Sequence, residues 1–385
     1  MVPISEPLLD QRAQTLLIAL QQKPLGSYQD FADMVGLTRQ TVSTHLKRLE
    51  KAGLFHNIRA ELALDPLERH QLDVLVQVPN LAFIPMLEHF AEAHHYTAYR
   101  ARVFGKVSGL YFQFHTPVGT KKHIQKSFDE FLGRGVVSEY RMYERGQLHY
   151  VTDPQLKSWN PKTFSWDFDW SMWKKAIDTL PTVIEENNQE KPTPSEQSLI
   201  GSLDRTDAVM MYFLTSNARS KQKDIKKALP KLGGEDLSPQ RISERWNYLQ
   251  QNVVADYRIH LDWKAAGLFN TILFFVKCNH SSTEWFHDRL THPATRPPFS
   301  TRFQTTEEGF VFYIRCPPSQ ISLITELLWD KVEQIEANLL DFKSSMVYFF
   351  DYTALDESGW KGSVDEVHTK PFEHSLEYGR KKGLL

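Results

Sequence analysis

The stretch from Leu37 to Leu49, LTRQTVSTHLKRL, concentrates side chains that hydrogen-bond to heterocycle edges and to phosphate oxygens. Val42, Leu46 and Leu49 stand four and three residues apart, which is one apolar stripe of a helix, and Thr38 occupies the place of an N-cap. The remaining positions face outward: Arg39, Gln40, Thr41, Ser43, Thr44, Lys47, Arg48 and, further along, Lys51. Amide and guanidinium forks match the donors and acceptors of base edges, and hydroxyls and ammoniums suit phosphates. The expected partner of this face is double-stranded DNA.

A reading helix needs a support that holds it at a groove. Leu16, Leu17 and Leu20 mark one amphipathic helix, Ser27 caps a second that runs through Phe31 and Val35, and Gly36 breaks the chain before the third. After Gly53, the segment LFHNIRAELALD sets Ile58, Leu62 and Leu64 among polar residues and predicts a two-stranded wing carrying Arg59. Three short helices, a glycine turn and a following hairpin form a winged helix-turn-helix.

The unit occurs twice. LSPQRISERWNYL from Leu237 aligns with LTRQTVSTHLKRL from Leu37, and GFVFYIRCPP from Gly309 aligns with GLYFQFHTP from Gly109, both 200 residues apart. The second copy keeps the stripe as Ile242, Trp246 and Leu249 but exposes Gln240, Arg241, Ser243, Glu244, Asn247 and Tyr248. Its positive charge lies earlier, in Arg219, Lys221, Lys223, Lys226 and Lys227, a set suited to phosphates. The first copy is therefore the expected sequence reader.

Downstream of each winged helix, alternating strands and amphipathic helices follow the order βαββαβ. The fold class is α+β, a tandem repeat of winged helix-turn-helix followed by a ferredoxin-like βαββαβ domain. The expected divisions are 1–66 and 200–264 for the winged helices, 67–180 and 265–385 for the ferredoxin-like domains, and 181–199, polar and proline-bearing, for the linker. The last strand is expected near SSMVYFF, residues 344–350. Trp159, Trp166, Trp170 and Trp173 predict an aromatic extension packed on the first ferredoxin-like domain.

This element order, with the segment LTRQTVSTHLKRLEKAGLF, resembles the Lrp/AsnC family of prokaryotic transcriptional regulators. The resemblance covers most of the chain, although family members usually carry one unit. It implies ferredoxin-like sheets pairing face to face, here as an intramolecular pseudo-dimer covering Leu75, Tyr111, Val311 and Tyr313, with further homo-oligomers. It also implies an amino-acid-like effector near the loops holding Gly105, Ser108 and Gly109, and Thr305 and Gly309. Those loops are equally plain hairpins.

A net charge of -2 excludes a uniformly basic coat, so DNA contact must be local. Two cysteines, Cys278 and Cys316, exclude a disulfide scaffold and suit a cytoplasmic protein. Both are expected buried and reduced at neighbouring ends of parallel first and third strands. No apolar run approaches a membrane span. Siroheme decarboxylases are similar in fold to the Lrp/AsnC family, and His94, His95, His115 and His123 are the set such chemistry would use. No zinc-helix spacing, phosphate loop or nucleophile elbow is present. The expectation is a regulator without catalytic activity, cofactor or metal, with a tetrapyrrole enzyme or a protein-binding scaffold as the alternatives.

Overall fold

The computed structural model describes residues 9–179, 198–329 and 331–385, so all but the last two linker positions lie outside the described residues. In the first repeat, α1 (Gln11–Gln22), α2 (Tyr28–Val35) and α3 (Arg39–Lys51) precede β1 (Phe55–Leu62). The ferredoxin-like elements follow as β2 (Arg69–Gln77), α4 (Ile84–Ala93), β3 (Thr97–Gly105), β4 (Gly109–Pro117), α5 (Lys121–Gly133) and β5 (Glu139–Glu144). The extension adds β6 (His149–Thr152), β7 (Trp159–Asn160), β8 (Ser165–Trp166) and α6 (Trp170–Thr179).

The second repeat runs through α7 (Arg205–Asn217), α8 (Gln222–Ala228), α9 (Pro239–Asn252) and β9 (Val254–Leu261). Then come β10 (Asn270–Lys277), α10 (His280–Thr291), β11 (Ser300–Thr306), β12 (Gly309–Cys316), α11 (Ile321–Trp329) and β13 (Gln334–Leu340). The chain closes with β14 (Met346–Val347) and α12 (Lys370–Lys381). The duplicated winged helix plus ferredoxin-like order is present as the sequence predicts.

The chain forms two compact units, and each combines segments of both repeats. One joins the described residues of Met1–Arg59, Gly146–Gln189 and Tyr257–Glu336; the other joins those of Ala60–Arg145, Glu190–Asp256 and Ala337–Leu385. Each winged helix thus belongs to the unit of the other repeat's ferredoxin-like sheet.

In the first unit, β12 lies between β10 and β11, and β6 of the first repeat extends the sheet beyond β11, with Thr152 opposite Thr301. The aromatic extension therefore packs on the second ferredoxin-like domain, not the first. The Trp166 indole N–H donates to the Ala266 carbonyl at 2.7 Å, that of Trp173 donates to Thr295, and Trp170 stacks on Phe299. Gln14 of α1 donates to the carbonyls of Leu156 and Trp159 and ties the winged helix to the same extension. A buried indole N–H needs an acceptor, and here the second repeat supplies two.

The cysteines are buried, as expected, but they do not approach each other. β10 and β12 are antiparallel, with Asn270 opposite Cys316 and Lys277 opposite Gly309, so Cys278 and Cys316 occupy opposite ends of the pair. The strand between two parallel strands of this fold must run against both, which rules out the parallel neighbours expected from sequence.

In the second unit the sheet order is β5-β2-β4-β3, all antiparallel. Leu72, Val74, Val76, Leu110, Phe112 and Phe114 face α4 and α5. Val367, Phe372 and Leu376, from and just before α12, complete that core, with the Phe131 and Phe372 rings 4.7 Å apart. Within residues 344–350, only Met346 and Val347 are strand, and they pair with Arg100 and Tyr99 of the first repeat, as the end of β13 pairs with Val103 to Gly105. The opposite sheet face holds buried Leu75, as expected, but a buried polar cluster stands at Tyr111 where an apolar surface is expected. Fully buried Asp73 accepts from the Tyr111 hydroxyl at 2.7 Å and from Gln71 and Gln113.

Candidate nucleic-acid interface

The first winged helix is held by caps and by ion pairs, Lys23 with Asp30 and Arg48 with Asp10. Ser27 and Asp30 form a reciprocal capping box at α2, and the Thr38 hydroxyl accepts from the Thr41 N–H at 3.2 Å to start α3. Val42, Leu46 and Leu49 are buried, as the stripe predicts. The opposite face is solvent-directed: Arg39, Gln40, Thr44, Lys47 and Lys51 are exposed, and Thr41 and Ser43 half-buried. Arg39, Gln40, Ser43, Thr44 and Lys47 line a concavity of about 560 Å³ together with Tyr28, the first residue of α2. Tyr28 escaped the sequence reading because it belongs to the supporting helix.

Two predicted contacts are placed differently. Arg48 turns back to Asp10, the N-cap of α1, at 2.9 Å. The Asp10 carboxyl lies below its ordinary range because the Ala13 N–H and Arg48 outweigh the opposing effect of burial. Arg59 is half-buried on β1, its charged form disfavoured by burial, and its Nε donates to Asn57. The expected two-stranded wing is one continuous strand. The residues that flank it bond to the second repeat: the Leu54 carbonyl accepts from Asp262 in one unit, and the Ala63 N–H donates to Val253 in the other. No glycine or proline interrupts Phe55–Leu62 to turn it back on itself.

The second winged helix repeats the clamp but not the face. Arg245 of α9 bonds to Asp204, the N-cap of α7, and its Nε lies 3.0 Å from Asp207. Burial pushes the Asp207 carboxyl up to about 6. On α9, Ile242 and Leu249 are buried, whereas Trp246 is half-exposed instead of completing the stripe. Gln240 donates to Glu244 at 2.9 Å, Ser243 accepts from Gln222, and Arg241 and Asn247 are exposed. Lys221, the N-cap of the preceding helix, and Lys223 within it are exposed.

The glycines near the expected effector loops have a packing explanation. A Cβ at Gly109 would meet the Val76 carbonyl oxygen at 2.1 Å, and one at Gly309, whose φ is +146°, would meet that of Val276 at 2.2 Å. Gly105 likewise lies against the Ala337 and Asn338 backbone. The Ser108 carbonyl accepts from Val78, and Thr305 bonds through its backbone to Leu148 and Gly146. These positions close strands tightly.

The histidines do not form one open site. His94 is buried between Phe90, Phe114 and Tyr96, and burial depresses its pKa to about 3. His95 places Nδ1 2.6 Å from Asp351 and Nε2 3.5 Å from Glu366, docking the C-terminal segment. His123 lies near the start of α5, and the backbone carbonyl of His115, on β4, accepts from Arg69. Among the described residues no group of histidine, cysteine and carboxylate side chains is arranged to hold a metal ion. No described helix is long and apolar enough to cross a membrane.

The sequence matches the winged helix-turn-helix DNA-binding family over residues 9–55. No curated protein matches it. Among solved structures, the chain is similar to siroheme decarboxylase NirDL, with TM-score 0.55 and 9% identity over 95% of this chain and 98% of that one. The same enzyme in co-complex with an iron-uroporphyrin III analogue gives 0.52 and 10%, over 96% and 97%. An AsnC family transcriptional regulator from Agrobacterium tumefaciens gives 0.31 and 18%, covering 38% of this chain and 97% of that one. The whole-length likeness to a decarboxylase overturns the expectation that this architecture marks a chain without catalytic activity. The chain carries a winged helix-turn-helix of the DNA-binding type within a duplicated fold shared, over nearly its full length, with siroheme decarboxylase NirDL.

Proposed function

We propose that the protein is a sequence-specific DNA-binding regulator whose first winged helix reads the major groove. The observation that carries this reading is the exposed α3 face, where Arg39, Gln40, Thr44 and Lys47 surround a concavity and Arg39 and Lys47 form no ion pair with a carboxylate among the described residues. Guanidinium and amide groups at the start of the third helix stand where this motif meets base edges. Thr38 and Thr41 hold the helix start, and Arg48 fixes α3 to α1, so all three act by positioning. Fluorescence anisotropy of the full chain against labelled duplexes from its own genome tests the reading. Saturable binding that survives excess random duplex supports it, and binding that random duplex removes entirely contradicts it.

A second reading is a tetrapyrrole enzyme, favoured by the fold shared with NirDL over both chains. The histidines do not fit it well: His94 is enclosed by aromatic rings, and His95 is engaged by Asp351 and Glu366. Titration of siroheme or an iron uroporphyrin into the protein, followed by absorbance, tests it directly. A saturable shift of the tetrapyrrole bands with decarboxylated product favours this reading, and unchanged spectra exclude it.

A further inference from the structure

We propose that the second winged helix binds the phosphate backbone of duplex DNA through the lysines of α8 and does not read bases through α9. This rests on the DNA-binding reading and adds a second surface to it. Ile225 and Leu229 are buried on one side of the α8 segment. Lys223, Lys226 and Lys227, spaced three and one apart, occupy the other side, flanked by exposed Lys221 and Lys231. Asp224 is the one acidic residue from 221 to 231, and none of the five lysines is paired with a carboxylate among the described residues.

The helix beside it keeps Arg241 and Asn247 exposed, but its leading amide is engaged and carboxylates surround its start. The Gln240 amide, which corresponds to Gln40 in the repeat, donates to Glu244 on its own helix, and the Ser243 hydroxyl accepts from Gln222 of α8. Glu244, Glu235 and Asp236 are exposed around the start of α9 and repel phosphate there. In helix-turn-helix docking the helix before the reader crosses the backbone, which is the place these lysines take. Phosphate contacts of this kind add affinity for any sequence and make it steeply salt-dependent.

The test uses the full chain and its Lys221→Ala, Lys223→Ala, Lys226→Ala, Lys227→Ala quadruple variant, titrated with a random-sequence duplex of about one docking footprint per winged helix at several salt concentrations. A Lys→Arg quadruple variant keeps the charge and controls for folding. The expected result is a loss of about tenfold or more in random-duplex affinity and a fall of about 3 in the slope of log K against log salt, restored by the arginines. An unchanged slope and affinity would overturn the proposal while leaving the α3 reading intact if Arg39→Ala still weakens binding. A flattened slope with no effect of Arg39→Ala or Gln40→Ala would uphold the lysine surface and remove the first copy as reader. Absence of any duplex binding by the unaltered chain overturns both.

Discussion

The guanidinium of Arg48 stands 2.9 Å from the carboxylate of Asp10, so a reading-face residue of α3 is clamped to the N-cap of α1. The second repeat builds the same clamp from a different turn of its third helix, with Arg245 on Asp204 and Asp207. The two pairs differ in burial: Arg48 and Asp10 are 42% and 29% exposed, whereas Asp207 is 4% exposed. Arg48→Ala should cost about 0.5–1 kcal/mol of stability, the range of an exposed pair. Arg245→Ala, which leaves a buried carboxylate short of its donor, should cost about 2–3 kcal/mol. Denaturant melts of the two variants test the ranking.

Both compact units draw on both repeats, so neither repeat carries a complete one. Expressed alone, residues 1–189 and 190–385 should each be insoluble or proteolytically labile; expressed together, they should copurify as a stoichiometric complex. Trp173→Ala, which removes a buried indole that donates to Thr295 across the repeats, should lower stability by about 3–5 kcal/mol. Halves that fold and remain monomeric apart would show that the exchange is dispensable.

That exchange was the least legible feature of the sequence. The apolar stripe of α3, the caps Ser27 and Thr38 and the 200-residue repeat could be read because they depend on local spacing. Tertiary partners are not encoded that way. Trp166 and Trp173 announce burial, but nothing in their neighbourhood says that Ala266 and Thr295 hold the acceptors. Arg48 and Arg59 looked like DNA contacts because residue type reports charge and not direction; one turns to Asp10 and the other lies half-buried on a strand. Burial of the cysteines followed from strand alternation, and burial pushes the Cys316 thiol up to about 12, while their separation followed from a strand direction the sequence reading had reversed.

His94 and His260 make acid stability testable. Burial depresses them to about 3 and about 4, each below the ordinary value of 6.5. The unfolded chain therefore binds more protons than the fold between those values, and stability falls as pH drops from about 6.5 towards 4. Each group contributes a loss on the order of a few kcal/mol across that window. His94→Asn, which keeps an acceptor for the Tyr96 N–H, should be less stable at pH 7.5 yet lose less on acidification. Thermal melts from pH 7.5 to 4 decide it, and an unchanged pH dependence in the variant would remove His94 from this account.

The central claim is that α3 of the first winged helix reads sequence, and selection of bound duplexes from a randomised pool by the full chain tests it most directly. The account predicts an enriched motif, loss of preference worth about 1–3 kcal/mol at one base pair in Gln40→Ala, and an unchanged motif in Gln240→Ala. Binding with no enriched motif, or a motif erased by Gln240→Ala and untouched by Gln40→Ala, would contradict it.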